Sequence, residues 1–136
     1  MVQFYFLSIF VNFIGGLLLA GDTINKQYPG FESLQDFFKN SSYMLFFAIL
    51  SAVAGIFKII SVFDGDVYVV GDILPALASI TISIYLFNSY FLEKKGVSEP
   101  HIEKINIFIE EYKSLIGITI IVISILHFFF PDVLFI

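Results

Sequence analysis

Four long apolar segments, arranged in pairs on either side of a short acidic turn, most constrain what this sequence can fold into. The turn, FDGDVYVVGDILPA at residues 63–76, lies near the middle of the 136-residue chain. The segments cover residues 4–21, 42–63, 73–92 and 115–130. About 20 apolar residues in a helix cross a hydrocarbon core of about 30 Å. The sequence therefore predicts one all-α membrane domain, a bundle of four transmembrane helices over residues 1–136.

Composition narrows the class of protein further. Apolar residues make up 58 % of the chain and charged residues 14 %, whereas about a quarter of the residues of soluble domains are charged. A net charge of −5 argues against nucleic acid as a partner. The chain has no cysteine, which excludes disulfides and thiolate metal sites. The lipid bilayer is the expected environment.

The first apolar segment is predicted to be a retained span and not a cleaved signal peptide. The residues before it, Met1-Val2-Gln3, carry no lysine, and the small residues near Ala20 make a poor cleavage site. Asp22 is expected to end this span, because a carboxylate is costly in hydrocarbon.

Amphipathic helices are predicted between the spans of each pair. After the Pro29-Gly30 turn, one helical face carries Phe31, Leu34, Phe37 and Phe38, and the other carries Glu32, Gln35, Asp36 and Lys39. A helix of this kind lies in the headgroup region, or packs on its own protein as a solvated linker. A second amphipathic segment follows Pro100 and is expected to continue into the fourth span as one long helix.

Stripes of small residues predict which spans pack closely. One stripe lies in the second span and the other in the third: Ala48, Ser51, Ala52 and Gly55, and Ala76, Ser79 and Ser83. Small residues allow two helices to approach closely. The stripes are expected to meet, so that the second and third spans form an antiparallel hairpin.

The two halves of the chain share a layout that predicts a tandem repeat, residues 1–66 and 67–136. At a shift of 69 residues Tyr43 falls on Tyr112, and Lys58 falls on His127. Each half reads as a span, a charged loop with a proline, an amphipathic helix and a second span. Two spans per unit give both halves the same orientation.

Lysine placement predicts the topology. Six of the seven lysines lie in loops 22–41 and 93–113, so these loops are expected on the cytoplasmic side of a bacterial cytoplasmic membrane. Both termini and the 64–72 turn are then extracytoplasmic. Most tyrosines lie near span ends, at the membrane–water interface that amphipathic aromatic rings favour. Tyr85 is expected inside a span.

Lys58 and His127 are the ionisable residues that fall within the predicted spans. Such a residue is a candidate functional position, yet Lys58 can also reach outward to pair with Asp64, Asp66 or Asp72. We favour this structural ion pair for Lys58 and a packing role for His127.

The three turn aspartates are interpreted as helix-capping and span-stopping residues. A calcium loop of the EF-hand type is excluded, because the twelfth residue from Asp64 is Pro75. The sequence shows no catalytic set, and we expect neither a cofactor nor a metal.

The leading functional hypothesis is a non-enzymatic interaction, scaffold or accessory subunit of a membrane protein assembly. Its partner would be another membrane protein or a second copy of the chain. The alternative is a small oligomeric channel or transporter, with Lys58, His127 and the acidic turn lining the path. A lipid-acting enzyme is a weaker third hypothesis, because no acid–base set clusters at the membrane face.

Overall fold

The structure, a computed structural model, describes residues 2–60, 73–95 and 100–130. Within these ranges the chain forms five helices: α1 (Val2–Gln27), α2 (Glu32–Phe38), α3 (Ser41–Ile60), α4 (Ile73–Lys95) and α5 (Pro100–Phe129). By length and composition, α1, α3, α4 and α5 are each able to cross a membrane. The prediction of an all-α chain with four long apolar helices is confirmed.

Two helix ends differ from the sequence-based bounds. α1 does not end at Asp22 but continues to Gln27, and α4 continues past the predicted end at residue 92 to Lys95. The helix tolerates Asp22 because Lys113 of α5 pairs with its carboxylate at 2.7 Å. α5 begins at Pro100, where a missing N–H is harmless, and runs without a break to Phe129, as predicted.

The four long helices pack mainly as two pairs, α1 with α5 and α3 with α4. In the first pair Gly16 and Gly117 bring the two backbones together: a Cβ added to Gly117 would lie 2.7 Å from the Gly16 carbonyl oxygen. In the second pair a Cβ added to Gly55 would lie 3.1 Å from the Ala76 carbonyl oxygen. Each pair therefore contains a close backbone approach at a glycine. At Gly117 an added Cβ would overlap backbone atoms, whereas at Gly55 its nearest contact would be the flexible Ile80 side chain.

Weaker contacts join the two pairs into one bundle. α1 packs against both α3 and α4, α4 also packs against α5, and the short α2 lies on α1 and α3. Fully buried apolar side chains fill the space between the helices: Val11, Leu19, Ile82 and Leu86. The bundle interior is therefore closed by packed side chains over this depth.

Candidate functional site

Lys58 and His127 meet at one end of the bundle. Lys58 is near the end of α3 and His127 near the end of α5, and their side chains are 4 % and 1 % exposed. The Lys58 Nζ and the His127 Nε2 are 3.0 Å apart. The His127 tautomer decides which of the two nitrogen atoms donates in this contact.

Tyr5 of α1 completes this cluster. Its hydroxyl donates to the carbonyl oxygen of His127 at 2.7 Å. The Tyr5 ring lies 4.8 Å from the His127 ring and 5.1 Å from the Lys58 Nζ, which is within cation–π range. Three helices thus contribute to one buried polar cluster, which we call the Lys58 cluster (Tyr5, Lys58 and His127).

A second buried polar contact joins α1 to α4. The Asn12 Nδ2 donates to the Pro75 carbonyl oxygen at 3.0 Å, and the Ser79 hydroxyl donates to the Asn12 Oδ1 at 2.7 Å. Asn12 and Ser79 are almost completely buried. Each polar group in this contact has a hydrogen-bond partner in a neighbouring residue. The contact is therefore explained by hydrogen bonding between the helices, without a ligand.

The opposite end of the bundle carries a charged cluster. Lys113 of α5 pairs with Asp22 of α1 at 2.7 Å and with Glu110 at 2.9 Å. The Gln35 side chain of α2 donates to the Asp22 carboxylate at 3.0 Å, and the Tyr85 hydroxyl donates to Glu110 at 3.4 Å. Four helices therefore converge on a single group of charged and polar side chains.

This charged cluster borders a pocket of about 380 Å³, which we call the polar pocket. All five helices contribute to its lining, and Lys39 and Glu93 stand exposed at its edge. The hydrogen bond that Lys39 donates to Asp36 raises the pKa of Lys39 above its ordinary value. The apolar part of the wall comes from Leu18, Phe38, Met44 and Leu86.

A larger cavity of about 670 Å³ lies beside the polar pocket, between α1, α2 and α3. We call it the aromatic groove. Phe37 and Tyr43 stack here with ring centroids 4.3 Å apart, and Phe38 packs edge-on against Phe47 at 5.0 Å. The other lining side chains are almost all apolar: Phe10, Ile14, Leu34, Phe46 and Leu50, with Ser42 the exception.

The structure brings together some of the residues that the sequence singled out. Ser83 donates to the Ala48 carbonyl oxygen at 3.0 Å, and Gly55 lies against Ala76, so these members of the two stripes meet. Ser79 instead bonds Asn12 of α1. Ser51 is buried on the α3 stripe and bonds its own helix, and Ala52 is partly buried.

Three predicted positions, Asp64, Asp66 and Asp72, lie outside the described residues, as does the predicted end of the fourth span at residues 131–132. Within the described ranges, no group of three or more His, Asp or Glu side chains is arranged to hold a metal ion.

The sequence reasoning missed the charged cluster and the role of Tyr5. Tyr85 was a signal, because a tyrosine inside a span needs a hydrogen-bond partner, and its partner is Glu110. Asp22 and Lys113 were another signal, because they are opposite charges at the ends of two predicted spans. The contact between Lys58 and His127 also had a signal, since the 69-residue shift of the predicted repeat places one of these positions on the other.

Comparison with known proteins places the chain in a family without assigning an activity. An uncharacterised protein of Treponema pallidum (strain Nichols) is 29 % identical over 137 residues, covering 99 % of each chain. No solved structure matches the chain. A family model matches residues 1–127. The chain therefore belongs to the family that this model describes, a family of unknown function.

Proposed function

We propose that this chain is an integral protein of a bacterial cytoplasmic membrane that works as a non-enzymatic interaction or accessory subunit of a membrane protein assembly. The observation that carries the proposal is an apolar stripe on the first half of α5, formed by Ile105, Phe108 and Tyr112. These side chains are 44 %, 60 % and 41 % exposed. Their spacing of three and four residues places them on one helical face.

The length of α5 makes this stripe informative. A helix of 30 residues is about 45 Å long, which exceeds a hydrocarbon core of about 30 Å. Apolar side chains that face lipid need no partner, whereas an exposed apolar patch in water marks an interaction site. In this proposal the stripe lies on the part of α5 that extends beyond the hydrocarbon. Charged residues lie beside the stripe, as at the rim of a protein interface: Glu103, Lys104, Glu110 and Glu111.

The exposure of the most apolar stretch of α5 supports the same proposal. Of the most apolar stretch of α5, 22 % is buried within the bundle, against 44 % for α1. α5 therefore offers more free surface to a neighbouring protein than α1 does.

In this proposal α2 lies in the headgroup region, with Leu34, Phe37 and Phe38 toward the apolar side.

Native purification tests the proposal. We expect the chain, extracted gently from its own cells, to co-purify stoichiometrically with another membrane protein or as a defined oligomer. Phe108→Ala should reduce the co-purified partner at least about fivefold, because exposed aromatic anchors carry much of the binding energy. Phe129→Ala is the matched control, since Phe129 is also exposed on α5 but lies at its other end. Equal recovery of partner with both variants would contradict the role of the stripe.

The orientation belongs to the same proposal. With no native cysteine, single cysteines at Gln27 and Asp66 can be labelled without background. We expect a membrane-impermeant thiol reagent to label Asp66→Cys from outside the cell, and Gln27→Cys only after the membrane is opened. The reverse pattern would overturn the orientation.

The tandem repeat is also part of the proposal. A shift of 69 residues exchanges the α1/α5 pair with the α4/α3 pair, which are the two dominant helix pairs. It also relates Lys58 to His127, and two equivalent residues of a two-fold arrangement touch only near its axis. We expect residues 1–66 and 67–136, co-expressed as separate chains, to co-purify. Failure to associate would argue against two repeat units.

A small channel or transporter is the second candidate, favoured by the buried contact between Lys58 and His127. Ionisable groups held inside a span often mark a transport path. In this case the purified chain should catalyse solute or ion flux in proteoliposomes, and Lys58→Met should abolish it. Absence of flux, together with stoichiometric co-purification, would leave the interaction role.

A further inference from the structure

The polar pocket and the aromatic groove are adjoining cavities that share one side chain, Phe38 of α2. Phe38 lines both cavities and is 5 % exposed. On one side of it lie charged groups from α1, α4 and α5, together with Lys39 just after α2, and on the other lies a nearly continuous apolar wall. A ligand that fits both must be polar at one end and apolar along the rest of its length.

The pocket offers charges of both signs. Its lining includes the cations Lys39 and Lys113 and the anions Asp22 and Glu93. Lys113 pairs with Asp22 and Lys39 pairs with Asp36, so a ligand would share these ion pairs. A ligand with a single charge meets a like charge across the pocket, which costs affinity. A ligand with an anionic and a cationic group pairs with both kinds. Lysines bind phosphate as point charges, and carboxylates accept hydrogen bonds from an ammonium group.

The groove identifies the rest of the ligand. It lies between α1 and α3, two of the helices able to cross a membrane, so a lipid chain can enter it from the side. Its volume of about 670 Å³ falls in the range of about 300–1,000 Å³ typical of small-molecule sites.

We propose that the polar pocket and the aromatic groove together bind one zwitterionic phospholipid, with the phosphate–ammonium headgroup in the pocket and an acyl chain in the groove. The inference rests on the proposed membrane location and is independent of the proposed partner surface on α5. The lipid would be a structural ligand that joins α2 to the bundle, in addition to any protein partner.

The test is lipid binding to the full-length, delipidated protein in detergent, followed by native mass spectrometry. The probes are phosphatidylcholine, phosphatidylethanolamine and phosphatidylglycerol with identical chains. We expect both zwitterionic lipids to bind at least about tenfold more tightly than the anionic lipid. Soluble glycerophosphocholine, which lacks chains, should bind at least about a hundredfold more weakly than phosphatidylcholine, because it leaves the groove empty.

Two variants of α4 test the pocket itself. Ser89 lines the pocket and its hydroxyl bonds the Tyr85 carbonyl oxygen at 2.9 Å, so Ser89→Leu fills the cavity. It should weaken zwitterionic lipid binding by about tenfold or more. Thr81→Leu is the matched control, because Thr81 makes the same bond to Leu77 at 2.8 Å but lies away from the pocket. It should change lipid affinity less than about twofold.

A charge variant keeps the proposal testable if Ser89→Leu fails to fold. Glu93 is exposed at the pocket edge, and Glu93→Lys should shift the preference toward phosphatidylglycerol, because it removes an anion and adds a cation. Three results would each overturn the proposal: equal affinity for all three lipids, no change of preference in Glu93→Lys, or equal binding of glycerophosphocholine and phosphatidylcholine. Each is read from lipid binding alone, so it is distinguishable from loss of the protein partner.

Discussion

The two main helix pairs, α1/α5 and α3/α4, solve the same packing problem in different ways. Both bring backbones close at a glycine, and both have a serine hydroxyl that donates across to a backbone carbonyl: Ser124 to Ile9 at 2.9 Å and Ser83 to Ala48 at 3.0 Å. Among the residues that the structure describes, the α1/α5 pair also has a tyrosine hydrogen bond at one end and an ion pair at the other.

The difference follows from where the helices lie in the chain. α3 and α4 are consecutive long helices, whereas α1 and α5 stand at the two ends of the chain. The connection between α3 and α4 limits how they align, and small-residue packing completes the pair. The alignment of α1 with α5 has no such local restraint, so polar bonds at both ends fix their register. Local sequence therefore predicts one pair well and the other poorly.

The largest effect that tests this comparison is expected at Gly117. A Cβ added there would overlap the Ala20 backbone nitrogen and lie 2.7 Å from the Gly16 carbonyl oxygen, and backbone atoms cannot move aside easily. Gly117→Ala should lower the free energy of unfolding by about 3 kcal/mol.

Gly55→Ala provides the contrast in the other pair. The nearest atom to its added Cβ is on the flexible Ile80 side chain, at 2.8 Å, so the loss should be about 1 kcal/mol. Both are measured by denaturant unfolding in mixed micelles. Equal losses of stability in the two variants would contradict the distinction between a backbone clash at Gly117 and a side-chain clash at Gly55.

The next largest effect concerns the bridge between the pairs. Lys58 belongs to one pair and His127 to the other, so a double-mutant cycle with Lys58→Met and His127→Leu should give a coupling of about 1–2 kcal/mol. The measurement is the unfolding free energy of the wild type, both single variants and the double variant. A cycle of Lys58→Met with Thr119→Ala, a residue that bonds only its own helix turn in the described structure, should show no coupling.

A smaller effect is expected at the charged end of α1/α5. Lys113 has a side chain 25 % exposed and pairs with Asp22 and Glu110. Lys113→Met should lower stability by about 1 kcal/mol, and added salt should reduce the difference because it screens half-exposed charges. Lys39→Met, which removes an exposed pair with Asp36, should leave stability unchanged. A loss at Lys113 that ignores salt would contradict an electrostatic origin.

The smallest effect is expected at the serines that the two pairs have in common. Ser83→Ala and Ser124→Ala should each cost about 0.6 kcal/mol, the average for interhelical hydrogen bonds in membrane proteins. Similar values would show that the pairs differ only in the additional end contacts of α1/α5. A much larger loss at Ser124 would instead place the difference in the middle of the helices.

The fold was largely predictable from the sequence, because the length of an apolar segment and the periodicity of its small residues are local properties. The four long helices and the continuous α5 follow from them. The end of α1 did not, since the chain's own Asp22 looks like a stop signal until Lys113, far away in sequence, is known to neutralise it.

The candidate sites were less predictable, because they depend on which helices become neighbours. Lys58 was recognised as unusual from its position alone, but its contact with His127 requires the relative placement of α3 and α5. The polar pocket needs all five helices. No local sequence pattern predicts such a convergence, although Tyr85, a tyrosine inside a predicted span, indicated that a polar partner must be near.

Four side chains donate hydrogen bonds to backbone carbonyl oxygens of another helix: Tyr5, Asn12, Ser83 and Ser124. Every residue type supplies a carbonyl, so evolution is free to change the accepting position while the donor stays. Related sequences can diverge widely along these helices and keep the same hydrogen bonds between them. Methods that look for paired changes between positions will therefore detect these helix contacts less readily than the contacts of Lys113 with its acidic partners.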